Sequence, residues 1–85
     1  MSREPNPQEE AVHRELTVAH IRSREGADHV TVLFLESARF YRLLREQPQF
    51  DELLARLRVS ELERRPVRVG LASLDSDVIE DVDVS

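Results

Sequence analysis

The sequence predicts a small α+β domain of order β-β-α-α-β, with an antiparallel sheet and helices packed on one face of it. Two observations favour this class. Residues 15–23 and 29–37 alternate or run apolar as strands do, and a glycine-containing loop separates them. Residues further along the chain space their apolar side chains at intervals of three and four, which is typical of helices.

The first two strands are predicted to form a β-hairpin. "ELTVAHIRS" places Leu16, Val18 and His20 on one face of an extended chain. "HVTVLFLES" is apolar on both faces, which favours the more central position. Between them "REGAD" supplies Gly26 and Asp28, both common turn residues. Two such runs joined by a short loop indicate a hairpin.

Two helices are expected next. Ser37 is the predicted N-cap of the first helix, in "ARFYRLLREQ", where Phe40, Leu43 and Leu44 share a face. Pro48 ends this helix or begins the next. The second helix, in "QFDELLARLR", carries apolar residues at positions i, i+3, i+4 and i+7, namely Phe50, Leu53, Leu54 and Leu57. "SELERR" then predicts a short extra turn, because its serine and glutamate have the capping-box spacing.

The remainder of the chain predicts one strand and allows another. "PVRVGLA" alternates apolar and other residues, so it is expected to be a strand with one buried face. "DVIEDVDVS" alternates less regularly and allows a fourth, edge strand. The expected organisation is a flexible N-terminal arm at 1–12, the α+β domain at 13–74 and an acidic C-terminal edge strand or tail at 75–85.

Length and composition limit the class of protein. Eighty-five residues make one small domain, and the absence of cysteine excludes disulfides, thiolate nucleophiles and cysteine metal sites. No apolar run is long enough to span a bilayer, and the polar N-terminus lacks the pattern of a signal peptide. We therefore expect a cytoplasmic protein with no membrane partner. All twelve basic residues are arginine. The coding composition of the genome alone could explain this choice, or the arginines could have a function, since arginine pairs with carboxylates through two hydrogen bonds.

Charge is distributed unevenly along the chain. The net charge is −5, made of −3 in residues 1–38, +3 in residues 39–68 and −5 in residues 69–85. This overall balance is unlike that of a nucleic-acid-binding protein, although a local basic face is compatible with it.

The sequence offers little that would carry catalysis. No serine lies in a G-x-S-x-G elbow, and two glycines cannot form a glycine-rich phosphate loop. The C-terminal acids lack the glycine and the ligand order of a calcium loop. His13, His20 and His29 have no helical i, i+4 pair that would indicate a zinc site. We expect no enzymatic activity, no catalytic residue, no cofactor and no metal site.

The favoured function is a non-enzymatic protein–protein interaction module, either an adaptor or a small inhibitor of a larger protein. Its partner-binding residues would come from an arginine-rich helix face, from the acidic C-terminal segment, or from both. Tyr41 is expected at the edge of the apolar stripe, where it could be half-buried with its hydroxyl in solvent or could equally be an interface anchor. The predicted contact residues are Arg39, Tyr41, Arg42, Arg45, Asp75, Asp77, Asp81 and Asp83.

Other interpretations remain open at this point. The acidic end could equally be a solvated edge that only aids solubility. Complementary basic and acidic surfaces could produce a homodimer. The alternative functions are a nucleic-acid-binding α+β domain that uses Arg39, Arg42 and Arg45, and a small metal-dependent domain.

The order of hairpin, two helices and strand, with "RPVRVGL" after the second helix, is similar to the small domains that end a bacterial clamp-loader subunit. It also resembles type II KH-like folds. The resemblance covers about residues 15–72 and implies binding to a protein partner or a nucleic acid. It contains no diagnostic motif and no GXXG, so no functional residue is transferred from it.

Overall fold

The computed structural model of the chain describes residues 12–84. This part of the chain contains six strands and one helix. In chain order they are β1 (Val12–Leu16), β2 (Val18–Ser23), β3 (His29–Phe34), β4 (Ser37–Leu44), α1 (Phe50–Glu63), β5 (Val67–Leu71) and β6 (Ile79–Val84). The predicted N-terminal arm at 1–12 lies outside the described residues except for Val12, which begins β1.

The strands form two antiparallel sheets of three. Sheet I has the order β1-β5-β6, and sheet II has the order β2-β3-β4. The predicted α+β class is confirmed, but one sheet was expected and two are present. The predicted hairpin is the β2–β3 pair, but its first predicted strand, 15–23, is divided at Thr17 between β1 and β2. Leu16 and Val18 are buried, whereas His20 is exposed and does not share their face. The hairpin loop contains Gly26 with a φ of 86°, a conformation that glycine adopts without strain.

One continuous run of chain supplies a strand to each sheet, with Thr17 at the junction between β1 and β2. The backbone N–H of Thr17 donates to Glu36 Oε1 at 2.6 Å, and its hydroxyl donates to Glu36 Oε2 at 2.8 Å. The N–H of Leu35 donates to the carbonyl of Thr17 at 2.8 Å. The β3–β4 turn therefore holds the corner between the two sheets.

The first predicted helix is wrong, because Ser37–Leu44 is strand β4. This strand pairs with β3 and turns Tyr41 and Leu43 into the core. The Ser37 hydroxyl accepts a hydrogen bond from the N–H of Arg39 at 3.2 Å, but at the start of a strand and not as a helix cap. A spacing of three and four had favoured a helix, yet alternate positions of the same segment also fit a strand with one buried face.

The second predicted helix is confirmed as α1. It begins after Gln49, buries Leu53 and Leu57, and continues to Glu63, so "SELE" extends the helix and is not a separate turn. Arg64 ends the helix in the left-handed conformation with a φ of 55°. No helix in residues 12–84 has the length and apolar character needed to cross a membrane, and the compartment stays a prediction.

Ser60 ties the helix to the corner between the sheets. It is fully buried on α1, where its hydroxyl accepts from the N–H of Val18 at 3.0 Å and donates to the carbonyl of Arg65 at 2.6 Å. A buried hydroxyl with both partners present is well satisfied. The two sheets and the helix therefore meet at one hydrogen-bonded junction.

The third predicted strand is β5, and the terminal segment forms β6 at the edge of sheet I. The inward side chains of both sheets and of α1 build one hydrophobic core. Its buried members are Leu16, Val18, Val30, Val32, Phe34, Tyr41, Leu43, Leu53, Leu57, Val67, Val69, Leu71, Ile79 and Val82.

Candidate functional site

Two of the arginines predicted to contact a partner are engaged within the molecule. Arg39 donates through Nη1 to the carbonyl of Leu74 at 3.0 Å and through Nη2 to the carbonyl of Asp75 at 2.9 Å. Arg42 donates through Nη2 to Asp77 Oδ1 at 3.0 Å, and its backbone N–H donates to the Asp77 carbonyl at 2.7 Å. Strand β4 thus holds the connection between β5 and β6 in place.

Arg45 has a similar structural role at the other end of β4. Its Nε donates to the carbonyl of Ala27 at 2.9 Å, and its Nη2 donates to the Ser23 hydroxyl at 3.1 Å. The guanidinium carbon also lies 5.5 Å from the ring centroid of Phe50, a cation–π distance. These contacts fasten the β2–β3 loop.

Tyr41 does not lie at the edge of an apolar stripe, because its side chain is fully buried. Its ring meets that of Phe34 edge to face at 5.2 Å, and its hydroxyl accepts a hydrogen bond from Arg14 Nη1 at 3.4 Å. The predicted interface anchor therefore has no surface to offer a partner in this conformation. Burial follows from the strand, since position 41 of β4 points inward.

The four predicted acidic contact residues are divided between two places. Asp75 and Asp77 lie in the β5–β6 connection, and the hydrogen bond from Arg42 holds the pKa of Asp77 below its ordinary value. Asp81 and Asp83 lie on β6, on the face of sheet I that points away from the core. The structure thus brings Arg39 and Arg42 to Asp75 and Asp77, but through internal contacts.

No group of three or more histidine, aspartate and glutamate side chains in residues 12–84 is arranged to hold a metal ion. The nucleic-acid alternative depended on Arg39, Arg42 and Arg45 on the exposed face of a helix. Those residues lie on strand β4, and their guanidinium groups are engaged by the contacts above. The predicted helix that was to carry this nucleic-acid interface is absent, because residues 37–44 form strand β4.

A groove of about 840 Å³ lies on the outer face of sheet II, the face that points away from the core. His20, Leu33 and Phe40 form one row across its three strands, because each is paired in register with the next. Phe40 is 62% exposed. Arg22 is paired with Thr31 in the adjacent row. We call this surface the sheet II groove.

One end of the sheet II groove is cationic. Arg22, Arg24 and His29 line it near the β2–β3 loop, and no aspartate or glutamate is among the residues that line it. Among residues 12–84, the side chains of Arg22 and Arg24 form neither an ion pair nor a hydrogen bond, unlike those of Arg39, Arg42 and Arg45. These two guanidinium groups retain their donors.

Each histidine of the groove has a carboxylate of its own nearby. His20 Nδ1 lies 3.9 Å from Glu61 Oε2 on α1. His29 Nδ1 lies 2.9 Å from Asp28 Oδ1, and this hydrogen bond holds the pKa of Asp28 below its ordinary value. The free donors of the groove are therefore mainly those of its two arginines.

Sequence reasoning did not find the groove. Phe40 was assigned to the buried face of a helix, and Arg22 and Arg24 were not singled out. The alternation of Phe40 with Tyr41 and Leu43 was the available signal, since a strand must place neighbouring residues on opposite faces. Recognising that signal required knowing that residues 37–44 are a strand.

No family model matches the chain, and no curated protein matches it. Among solved structures, a crystal structure of pro-protein-glutaminase is similar, with a TM-score of 0.72 and 20% sequence identity. The similarity covers 84% of this chain and 24% of that chain, so this chain spans about a quarter of its length. At this identity the likeness shows the fold: a small α+β domain of two antiparallel sheets and one helix.

Proposed function

We propose that this chain is a non-enzymatic domain that binds a larger protein, as an adaptor or as an inhibitor, through the sheet II groove. The observation that carries the proposal is the exposure of Phe40 beside Leu33 on a sheet face that nothing in residues 12–84 covers. Aromatic side chains and arginine are enriched at protein interfaces, and both are present in this groove.

The partner expected on this surface is a segment of folded protein that inserts an apolar side chain beside Phe40. An anchor of this kind provides most of the binding free energy, while the surrounding polar contacts exclude water. The cationic end and the absence of carboxylates in the lining favour a segment that carries negative charge. The same fold forms a quarter of the longer pro-protein-glutaminase chain, which supports the idea that it can work beside another folded unit.

Affinity capture from the native host, followed by titration calorimetry with the recovered protein, tests the proposal. Phe40→Ser is expected to weaken binding by about 30-fold or more, because truncating a central anchor costs about 2 kcal/mol. Leu62→Ser is the matched control, since Leu62 is an 84% exposed apolar residue on α1 that does not line the groove. It is expected to leave binding unchanged.

Two results would contradict the proposal. A partner that binds the Phe40→Ser variant as tightly as the original chain does not use the groove. If Phe40→Ser and Leu62→Ser weaken binding equally, the partner binds exposed apolar surface in general and not the groove. Thermal melting of both variants shows that each is folded before binding is compared.

A further inference from the structure

The sheet II groove has a direction. Its apolar row, with Leu33 and Phe40, lies toward the β3–β4 turn, and its cationic end lies toward the β2–β3 loop. Along β3 the groove passes from Leu33 to Thr31 and then to His29, in steps of two residues. Because a strand rises about 3.3 Å per residue, the apolar row lies about 7 Å from the Arg22–Thr31 row and about 13 Å from the loop end.

The donors at the cationic end are suited to carboxylates. Arg22 and Arg24 have no internal acceptor in the part of the chain that the structure describes. A guanidinium group presents paired N–H donors that match the two oxygens of a carboxylate. The Thr31 hydroxyl lies in the row of Arg22 and can donate to the same group. Of the nearby carboxylates, those of Asp28 and Glu61 lie beside His29 and His20, and that of Asp77 accepts from Arg42. Glu25 follows Arg24 in the β2–β3 loop and does not line the groove.

The charge of this end contrasts with that of the chain. The net charge of the protein is −5, yet the lining of the groove carries two arginines, two histidines and no acid. A partner segment that carries only negative charge would be repelled by the net charge of the chain and attracted to this end of the groove. Local complementarity of this kind fixes orientation and register more than it raises affinity.

We propose that the sheet II groove recognises an extended acidic segment of a protein, in which an aromatic or aliphatic anchor is followed on the same face by carboxylates about 7 and 13 Å away. Alternate side chains of an extended chain share a face and lie about 7 Å apart, so the segment carries the anchor at position i and acids at i+2 and i+4. The inference rests on the proposed function, because it specifies what the same groove binds.

Three synthetic peptides test this pattern: acetyl-FTDTD-amide, its uncharged counterpart acetyl-FTNTN-amide, and acetyl-FDTDT-amide. The third peptide has the composition of the first, but its carboxylates lie on the opposite face of an extended chain. Titration is followed by two-dimensional NMR of the labelled protein. We expect FTDTD to shift amides of β2 and β3, and to bind about fivefold more tightly than either control, a difference of about 1 kcal/mol.

Substitutions of Arg22 and Arg24 test whether these two residues cause the difference in affinity between FTDTD and FTNTN. In the Arg22→Gln/Arg24→Gln variant, FTDTD and FTNTN are expected to bind equally. The same substitutions at Arg58 and Arg64, two exposed arginines outside the groove, are expected to keep the preference. Raising the salt concentration from about 0.05 to about 0.5 M should also reduce the preference of the original chain for FTDTD over FTNTN, because exposed charge pairs are screened.

The outcomes separate this inference from the proposed function. Equal binding of FTDTD and FTNTN, equal binding of FTDTD and FDTDT, or no shift with any of the three peptides would overturn the carboxylate pattern. The protein-binding role would stand in each case if Phe40→Ser still abolished capture of the partner. Retention of the partner by Phe40→Ser would instead contradict the proposed function itself.

Discussion

The outer faces of the two sheets differ in the kind of side chain that their central rows carry. On sheet I, Arg68 lies in register between Glu15 on one neighbouring strand and Asp83 on the other. Opposite charges therefore face one another across the whole row. On sheet II, the corresponding central row places Leu33 beside the exposed ring of Phe40.

This difference indicates which outer face is stable in contact with water and which gains free energy when a partner covers it. Cross-strand pairs of opposite charge stabilise a sheet and need no further partner. An exposed aromatic beside an aliphatic side chain gains free energy only when another apolar surface covers it. The central row of sheet I is charged and can stay in solvent, whereas sheet II exposes apolar surface whose burial is available for binding.

The largest expected effect is a difference in the free energy of unfolding between alanine variants of two neighbouring residues on β4, Tyr41 and Phe40. Tyr41→Ala should lower the free energy of unfolding by about 3–5 kcal/mol, because it empties a fully buried site in the core. Phe40→Ala should change it by about 0.5 kcal/mol or less, because Phe40 projects from the opposite face into solvent. Urea denaturation of both variants measures the difference. Similar losses at the two positions would show that the outer face of sheet II is not open.

A smaller effect is expected where the two sheets are joined. Burial raises the pKa of Glu36, but the hydrogen bonds from the backbone and hydroxyl of Thr17 outweigh it and hold the pKa below its ordinary value. A carboxyl with a lowered pKa in the folded state stabilises the fold at neutral pH and loses that contribution as the pH falls through its folded pKa. Glu36→Gln should therefore cost about 1 kcal/mol at neutral pH, a value that allows for its partial exposure.

The pH dependence distinguishes this contribution from a general change in the turn. The difference between the original chain and Glu36→Gln should shrink as the pH falls from about 5 to about 3, since protonation removes the charge from Glu36 in the original chain. Paired urea titrations at each pH measure it. A difference that is constant over this range would mean that the charge of Glu36 does not hold the corner.

The smallest expected effect is a difference in stability between charge-reversal variants of two exposed arginines, one on each sheet. Arg68→Glu places three like charges in one row of sheet I and should cost about 1 kcal/mol at low salt, and less at high salt. Arg22→Glu faces Thr31 on sheet II and should change stability by about 0.5 kcal/mol or less. Thermal melting at two salt concentrations compares them. Equal costs would show that the two outer faces do not differ in this way.

Much of the fold could be predicted from local pattern. The β2–β3 hairpin, the stripe of α1 and the alternation of β5 are each encoded within a few neighbouring residues. The segment 37–44 could not be assigned in this way, because its apolar spacing fits both periods. Pairing with β3 decides it, and the two-residue turn at Leu35 and Glu36 contains neither glycine nor asparagine.

The candidate site was harder to predict than the fold. Arg39, Arg42 and Arg45 have the composition of a docking surface, but their partners are backbone carbonyls and an aspartate that lie far away in the sequence. Only tertiary structure shows that these groups are already occupied. For the same reason, Arg22 and Arg24 look ordinary in the sequence and become notable because the fold places both at one end of the sheet II groove.

The two sheets also differ in how soon they can be assembled. Sheet II consists of two consecutive hairpins, so each of its strands meets a partner within a few residues. Strand β1 must wait for β5, since Val12 pairs with Leu71 near the other end of the chain. Closing a long loop is slow compared with closing a hairpin. The surface that bears Phe40 is therefore built from local pairings alone, whereas sheet I requires the two distant parts of the chain to meet.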